Sequence, residues 1–188
     1  MRGRGTACVT LATQVWNGSC WPASPRTTSG PFSRIRAPGD TFGELAVATG
    51  SARSATVTAI EAGETLVLRG VERRRLAPRH PSIHEVLVRA LSRQVAFLSE
   101  RLVEAYTVDA ETRVVHRVLE LTRVYGAEPP VVVPLRQEDL AALAGTSRAT
   151  TNRVLRRAEG GGLVARGRGR TTVLDPEGLA RLARVARQ

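Results

Sequence analysis

"RQEDLAALAGTSRATTNRVLRRAEGGGLV", residues 136 to 164, decides how the rest of this chain is read. Leu140, Leu143 and Ala144 recur at helical spacing, which predicts a short helix over 137–144. Val154 and Leu155 give the inward face of a second, from Arg148 to about Ala158. Between them Gly145 supplies a backbone angle that other residues resist, and Ser147 is placed to cap the second helix. Ala141, four residues before the glycine, is small enough to let the two helices cross closely. Two short helices around such a turn form a helix-turn-helix.

The second helix leaves Arg148, Thr150, Asn152, Arg153, Arg156 and Arg157 exposed. An arginine grips guanine O6 and N7 with two parallel hydrogen bonds, and the first turn of such a helix enters the major groove. Arg148 lies in that turn, and Arg153 is reachable from the same face. "LVARGRGRTTVL" (163–174) reads as a hairpin whose Arg166, Arg168 and Arg170 form a wing against the backbone. The unit is thus expected to be a winged helix-turn-helix that binds double-stranded DNA. Its candidate contacts are Gln137, Thr146, Ser147, Arg148, Thr150, Asn152, Arg153 and Arg168. The competing reading is a small helical bundle with a solvated arginine face. Two residues fit the motif poorly. Arg136 stands where a Ser or Thr cap normally opens the first helix, and Thr151 where an apolar β-branched side chain normally packs beneath the turn.

Charge supports the DNA reading. The net charge is +11 and every basic residue is arginine. Residues 1–39 carry five arginines and no acid, residues 40–131 carry twelve of each sign, and residues 132–188 carry eleven arginines against five acids. A neutral body therefore precedes a compact basic unit, the electrostatic footprint of a polyanion binder. No run approaches the roughly 20 apolar residues of a membrane span, and no secretory signal opens the chain. A cytoplasmic protein with no membrane partner is the expectation. Cys8 and Cys20 make neither a disulfide framework nor a metal set. No Ser/His/Asp arrangement, metal set or P-loop is present, so no catalytic residue, metal site or enzyme is expected.

Upstream, residues 1–38 are rich in Gly, Ser, Thr, Pro and Arg without sustained periodicity, and little stable structure is expected there. "SATVTAI" (54–60) alternates like a strand, and "ETLVLRG" (64–70) resembles a second, with "EAG" as the turn. "VERRRLA" reads as a short helix ended by Pro78. Ser82 and Glu85 then form a capping box for a helix expected over 83 to about 106. Val88, Leu91, Val95, Leu98, Leu102 and Ala105 make a heptad seam along it, which suits a second copy of the chain. Ile83, Val86, Leu87, Ala90 and Phe97 give a second apolar flank; one wide face buried within a monomer is the alternative. Asp109 is placed to cap a helix over about 110–125 that Gly126 closes, and Asp175–Pro176 to open a last one.

In this order of parts the chain resembles the Crp/Fnr family of bacterial transcription regulators over residues 39 to 183. "LAGTSRATTNRVLRR" resembles that family's recognition motif, and "FGELA" followed by "RSATV" its phosphate-binding cassette for cyclic nucleotides. The resemblance implies an α+β fold. A partial, cyclic-nucleotide-binding-like β-roll effector domain would span 39–80, a dimerisation helix 81–108, and a winged helix-turn-helix DNA-binding domain 109–188. Residues 1–38 would be disordered or a misread segment, since the strands with paired glycines implied before the cassette are not recognisable there. The function implied is that of a ligand-responsive homodimeric regulator sensing a cyclic nucleotide such as cAMP. No cofactor is required, and DNA, a second copy and RNA polymerase are the partners. Gly43, Glu44, Leu45, Arg53, Ser54 and Ser99 become the effector-binding candidates. Glu44 would accept from the ribose hydroxyl, and Arg53 and Ser54 would hold the phosphate; a Glu44–Arg53 salt bridge closing the loop is the structural alternative. Leu98 and Ser99 fall where the family touches the base, and leucine cannot hydrogen-bond an adenine amino group. Ala149 stands where many members carry an acid that reads cytosine. An N-terminal cysteine cluster for iron–sulfur ligation is absent, and His80, His84 and His116 are too scattered to suggest haem ligation. The alternative function is a constitutive DNA-binding dimer whose degenerate effector domain binds no nucleotide.

Overall fold

The computed structural model describes residues 9–12, 35–36, 39–51, 56–59, 67–68, 70–126 and 128–185. Two compact units divide the chain at residues 101/102, inside one long helix.

The first unit holds a three-stranded antiparallel sheet of β1 (Val9–Ala12), β2 (Ile35–Arg36) and β3 (Thr56–Ala59), in the order β2-β1-β3. Val9 pairs with both Arg36 and Ala59, so β1 is central. Two strands therefore lie inside the stretch expected to hold little structure. Their runs of four and two residues are too short to show a period; partners distant in sequence define them. β3 bears out the strand expected around residues 54–60, but it pairs with β1. The expected second strand is not seen where it can be checked: Val67 and Leu68 are in no strand and Gly70 already begins α2 (Gly70–Leu76). The rest of that strand and its "EAG" turn lie outside the described residues. α1 (Glu44–Thr49) occupies the stretch read as a loop after Gly43, and Gly43 takes a left-handed φ of 82° to enter it.

α3 (Ser82–Thr107) runs 26 residues, about 39 Å at 1.5 Å per residue. It begins at Ser82 itself, and Glu85 reaches forward to Arg89 at 3.2 Å, so the expected capping box gives way to an i,i+4 pair. No residue of α3 is buried. Val88, Val95, Leu98 and Leu102 of the heptad seam are all exposed.

The second unit carries a continuous core. α4 (Ala110–Tyr125) starts at Asp109, whose carboxylate accepts from the amides of Glu111 and Thr112 at 2.9 and 3.0 Å. It buries Val114, Val115, Val118 and Leu121. α5 (Gln137–Ala144) adds Leu140 and Leu143, and α6 (Arg148–Gly160) adds Val154 and Leu155. A second antiparallel sheet, β4-β6-β5, consists of β4 (Val131–Val133), β5 (Val164–Gly167) and β6 (Arg170–Val173). Val173 pairs with Val131 on one side and Val164 on the other, and all three are buried. α7 (Pro176–Val185) closes the unit through Leu179 and Ala183. The order of helices, hairpin and last helix matches the expectation from residue 109 onward.

Candidate nucleic-acid interface and effector pocket

α5, Gly145 and α6 form the helix-turn-helix. Gly145 adopts φ 59°, ψ 45°, which reverses the chain without the clash a side chain would meet. The Thr146 amide donates back to Ala141 O at 2.9 Å and closes the end of α5. Ser147 Oγ accepts from the Thr150 amide at 3.0 Å, capping α6 as its position predicts. Both poorly fitting residues find compensation. Arg136 has no side-chain acceptor for a cap, but the Asp139 carboxylate reaches back to the Arg136 amide at 3.2 Å. Thr151 is fully buried beneath the turn and donates its hydroxyl to Ser147 O at 3.2 Å, so no polar atom is stranded by this departure from an apolar residue.

Of the predicted DNA-contacting residues, Ser147, Arg148, Arg153 and Arg168 are exposed, while Gln137 of α5, Thr146 in the turn, and Thr150 and Asn152 of α6 are half-buried. Few of these arginines are unengaged. Arg148 lies 3.6 Å from Glu138 of α5. Arg153 and Arg157 both turn to Glu111 of α4, at 2.8 and 3.3 Å. Arg166 is held by Glu159 at 2.6 Å and donates to Asn152 Oδ1 at 3.1 Å. Arg166 thus clasps the wing to α6, and Asn152 is part of that clasp. The arginine lowers the Glu159 carboxyl below its usual pKa through hydrogen bonds from its side chain and amide. Arg168 stays exposed at the hairpin turn, where Gly169 takes φ 72°.

On the effector side the described residues are fewer. Glu44 opens α1 with its side chain only 10% exposed. Its Oε1 lies 3.9 Å from an Arg36 nitrogen, and its Oε2 is buried with no hydrogen-bond partner among the described residues. Arg36 also donates to Gln94 of α3 at 3.3 Å. Leu45 and Ser99 are exposed. Arg53 and Ser54, and with them any pairing of Arg53 with Glu44, lie outside the described residues.

Residues 112–182 match the family model of the Crp-like helix-turn-helix domain. The cyclic AMP receptor protein of Thermus thermophilus is 34% identical over 146 residues, covering 78% of this chain and 66% of that protein. The CRP-like cAMP-activated global transcriptional regulator of Mycobacterium tuberculosis is 32% identical over 155 residues, covering 80% of this chain and 69% of that one. This chain belongs to the Crp/Fnr family. It spans about two thirds of the length of these two relatives. A solved CRP/FNR-family transcriptional regulator, also from Thermus thermophilus, shares the fold, with TM-score 0.67 at 23% identity over 94% of this chain and 84% of that one. As a Crp/Fnr protein it is a DNA-binding transcription regulator, and its relatives are regulators, not enzymes. No helix among the described residues is long and apolar enough to cross a membrane.

Sequence reasoning missed several residues of this Crp/Fnr site. Arg113 of α4 donates to Ala144 O at 3.0 Å and to Gly145 O at 3.2 Å, and so fixes the turn from behind. Glu111 collects two arginines of α6. Arg36 and Gln94 meet across 58 positions of sequence. None has a local signal, because each acts on an element distant in the chain.

Proposed function

We propose that this Crp/Fnr regulator works as a homodimer that reads DNA through α6 and responds to a cyclic nucleotide such as cAMP bound at Glu44. The exposed heptad seam of α3 supports the dimer, because a second copy would cover Val88, Val95, Leu98 and Leu102. The observation carrying the effector reading is the buried Glu44 Oε2, which has no donor among the described residues. A ribose 2′-hydroxyl would supply that donor, with Gly43 and Leu45 alongside, Arg53 and Ser54 on the phosphate and Ser99 toward the base. The effector's role is to shift the balance between two dimer states that present their recognition helices differently. The two relatives whose names carry cyclic AMP favour that nucleotide. RNA polymerase is the further partner, and the cytoplasm the site of action.

Isothermal calorimetry of the full chain with cAMP and cGMP tests the pocket. Saturable heat that Glu44→Gln removes is the expected result; no heat with either nucleotide rejects it. For DNA, Arg148→Ala should weaken binding to a selected duplex by about 1–3 kcal/mol while sparing a scrambled one. A guanidinium already facing Glu44, that of Arg36 at 3.9 Å, favours the second reading: a constitutive DNA-binding dimer that needs no nucleotide. In that case DNA affinity stays the same with and without nucleotide.

A further inference from the structure

Asn152 lies four residues after Arg148, one turn further along the same face of α6, and directly before Arg153. It is half-buried, and a side chain of the wing reaches it. Arg166 of β5 donates from one terminal nitrogen to Asn152 Oδ1 at 3.1 Å. The other side of the same guanidinium turns to Glu159, two turns further along α6. Its Nε donates to Oε2 at 2.7 Å, and its second terminal nitrogen lies 2.6 Å from that oxygen. The Arg166 amide donates to the other carboxylate oxygen at 3.0 Å. In the strand ladder Arg166 pairs with Thr171, which is buried. Arg166 is therefore held through backbone and side chain alike.

The chemistry of the two partners fixes more than their distance. A guanidinium only donates hydrogen bonds, so the Asn152 atom it meets has to be the carbonyl oxygen. Turning the amide over would set its N–H₂ against the cation, donor to donor, and lose a charge-assisted bond. The oxygen thus points to β5. The amide nitrogen has no partner among the described residues and is left for whatever faces α6. An asparagine reads adenine by presenting its oxygen and its nitrogen together, to N6 and N7. Asn152, with its oxygen engaged, presents donors instead. Donors suit the acceptors of a base edge, such as guanine O6 and N7 or thymine O4, and are repelled by the amino groups of adenine and cytosine.

We infer, resting on the reading that α6 faces the duplex, that Arg166 is a positioning residue for base recognition: it orients the Asn152 amide to read base acceptors and denies it the two-point adenine contact. The wing thereby takes part in sequence choice through α6, in addition to any contact of its own with the DNA backbone.

The test measures equilibrium binding of the full chain to the best-bound duplex of a randomised pool and to duplexes carrying each single base-pair change. Asn152→Ala locates the contact: preference should flatten roughly three- to tenfold at one base pair of a half-site. Arg166→Met removes the donor and frees the amide, so the preference at that same pair should change, roughly tenfold in the ratio of affinities. In the double variant Asn152→Ala/Arg166→Met that change should disappear. A second arm needs no change at Arg166. The amino group of the contacted pair is deleted, with purine in place of adenine or pyrimidinone in place of cytosine. Wild type and Asn152→Ala should then lose affinity equally. An extra loss in wild type would show that the Asn152 oxygen accepts from the amino group, and would overturn the inference. Arg166→Met that weakens every duplex alike, with the preference at the contacted pair unchanged, would make Arg166 a brace for the wing and overturn it as well. If Asn152→Ala flattens no position while Arg148→Ala still flattens one, the inference falls alone. Wild-type protein that shows no preference at any pair would remove the reading of α6 and the inference with it.

Discussion

α3 and α4 are consecutive helices, separated only by Val108 and Asp109, and they dispose of their apolar residues in opposite ways. α3 has 26 residues and buries none; α4 has 16 and buries seven. Both carry apolar side chains at helical spacing. Those of α4 meet α5, α6, β4 and α7 within one unit. Those of α3 form the seam Val88, Leu91, Val95, Leu98, Leu102 and Ala105, spaced three and four residues apart, and this seam has no covering element among the described residues. A period of 3.6 residues thus says that a face will be covered, while the 3.5-residue heptad says what kind of partner covers it.

Single substitutions can break or sharpen this contrast. The largest effect belongs to the closed core. Leu155→Ala, at a position only 1% exposed, should destabilise the 102–185 unit by about 2–5 kcal/mol in chemical denaturation. A cost under about 1 kcal/mol would mean that this core is loose and the contrast overstated. Next comes Gly145→Ala. Its left-handed φ of 59° should make the change cost about 1–2 kcal/mol and reduce DNA affinity, because the angle between α5 and α6 depends on it. On the other side of the contrast, Val95→Glu should leave unfolding of the 102–185 unit within about 0.5 kcal/mol of wild type, because Val95 is 64% exposed. It should nevertheless abolish self-association in sedimentation equilibrium. Unchanged association would show that the seam is not where copies meet.

The smallest effect concerns the junction itself. Burial raises the Asp109 carboxyl, but hydrogen bonds to Thr112 and Glu111 outweigh it and hold its pKa below the usual 3.8. The native state therefore gains stability that is fully present above that value and lost as pH falls through the lowered one. Asp109→Ala should cost about 1 kcal/mol at neutral pH, and the difference from wild type should vanish in strong acid. Denaturant midpoints measured across pH check this.

How much was legible follows the same division. In the second unit the elements can be read residue by residue. α5 begins at Gln137 and ends at Ala144 as expected, Ser147 caps α6, and Asp109 caps α4, because caps, a glycine turn and helical spacing act over four residues or fewer. The first unit yielded less. β1 and β2 escaped notice because four and two residues carry no measurable period; their hydrogen-bonding partners lie tens of residues away. The Ser82 capping box failed for the opposite reason. The motif was present, but the helix starts at Ser82 and Glu85 finds Arg89.

The sequence by itself determined the basic C-terminal unit, its helix-turn-helix and the heptad seam. These rest on local backbone preference and on the periodic placing of apolar and charged residues. Only the tertiary structure decided which charges answer one another: Glu111 with Arg153 and Arg157, Glu159 with Arg166, Arg36 with Glu44. Charge pairing depends on distance in space, and in a chain whose 28 basic residues are all arginine, sequence offers every acid many equivalent partners. The fold alone selects among them.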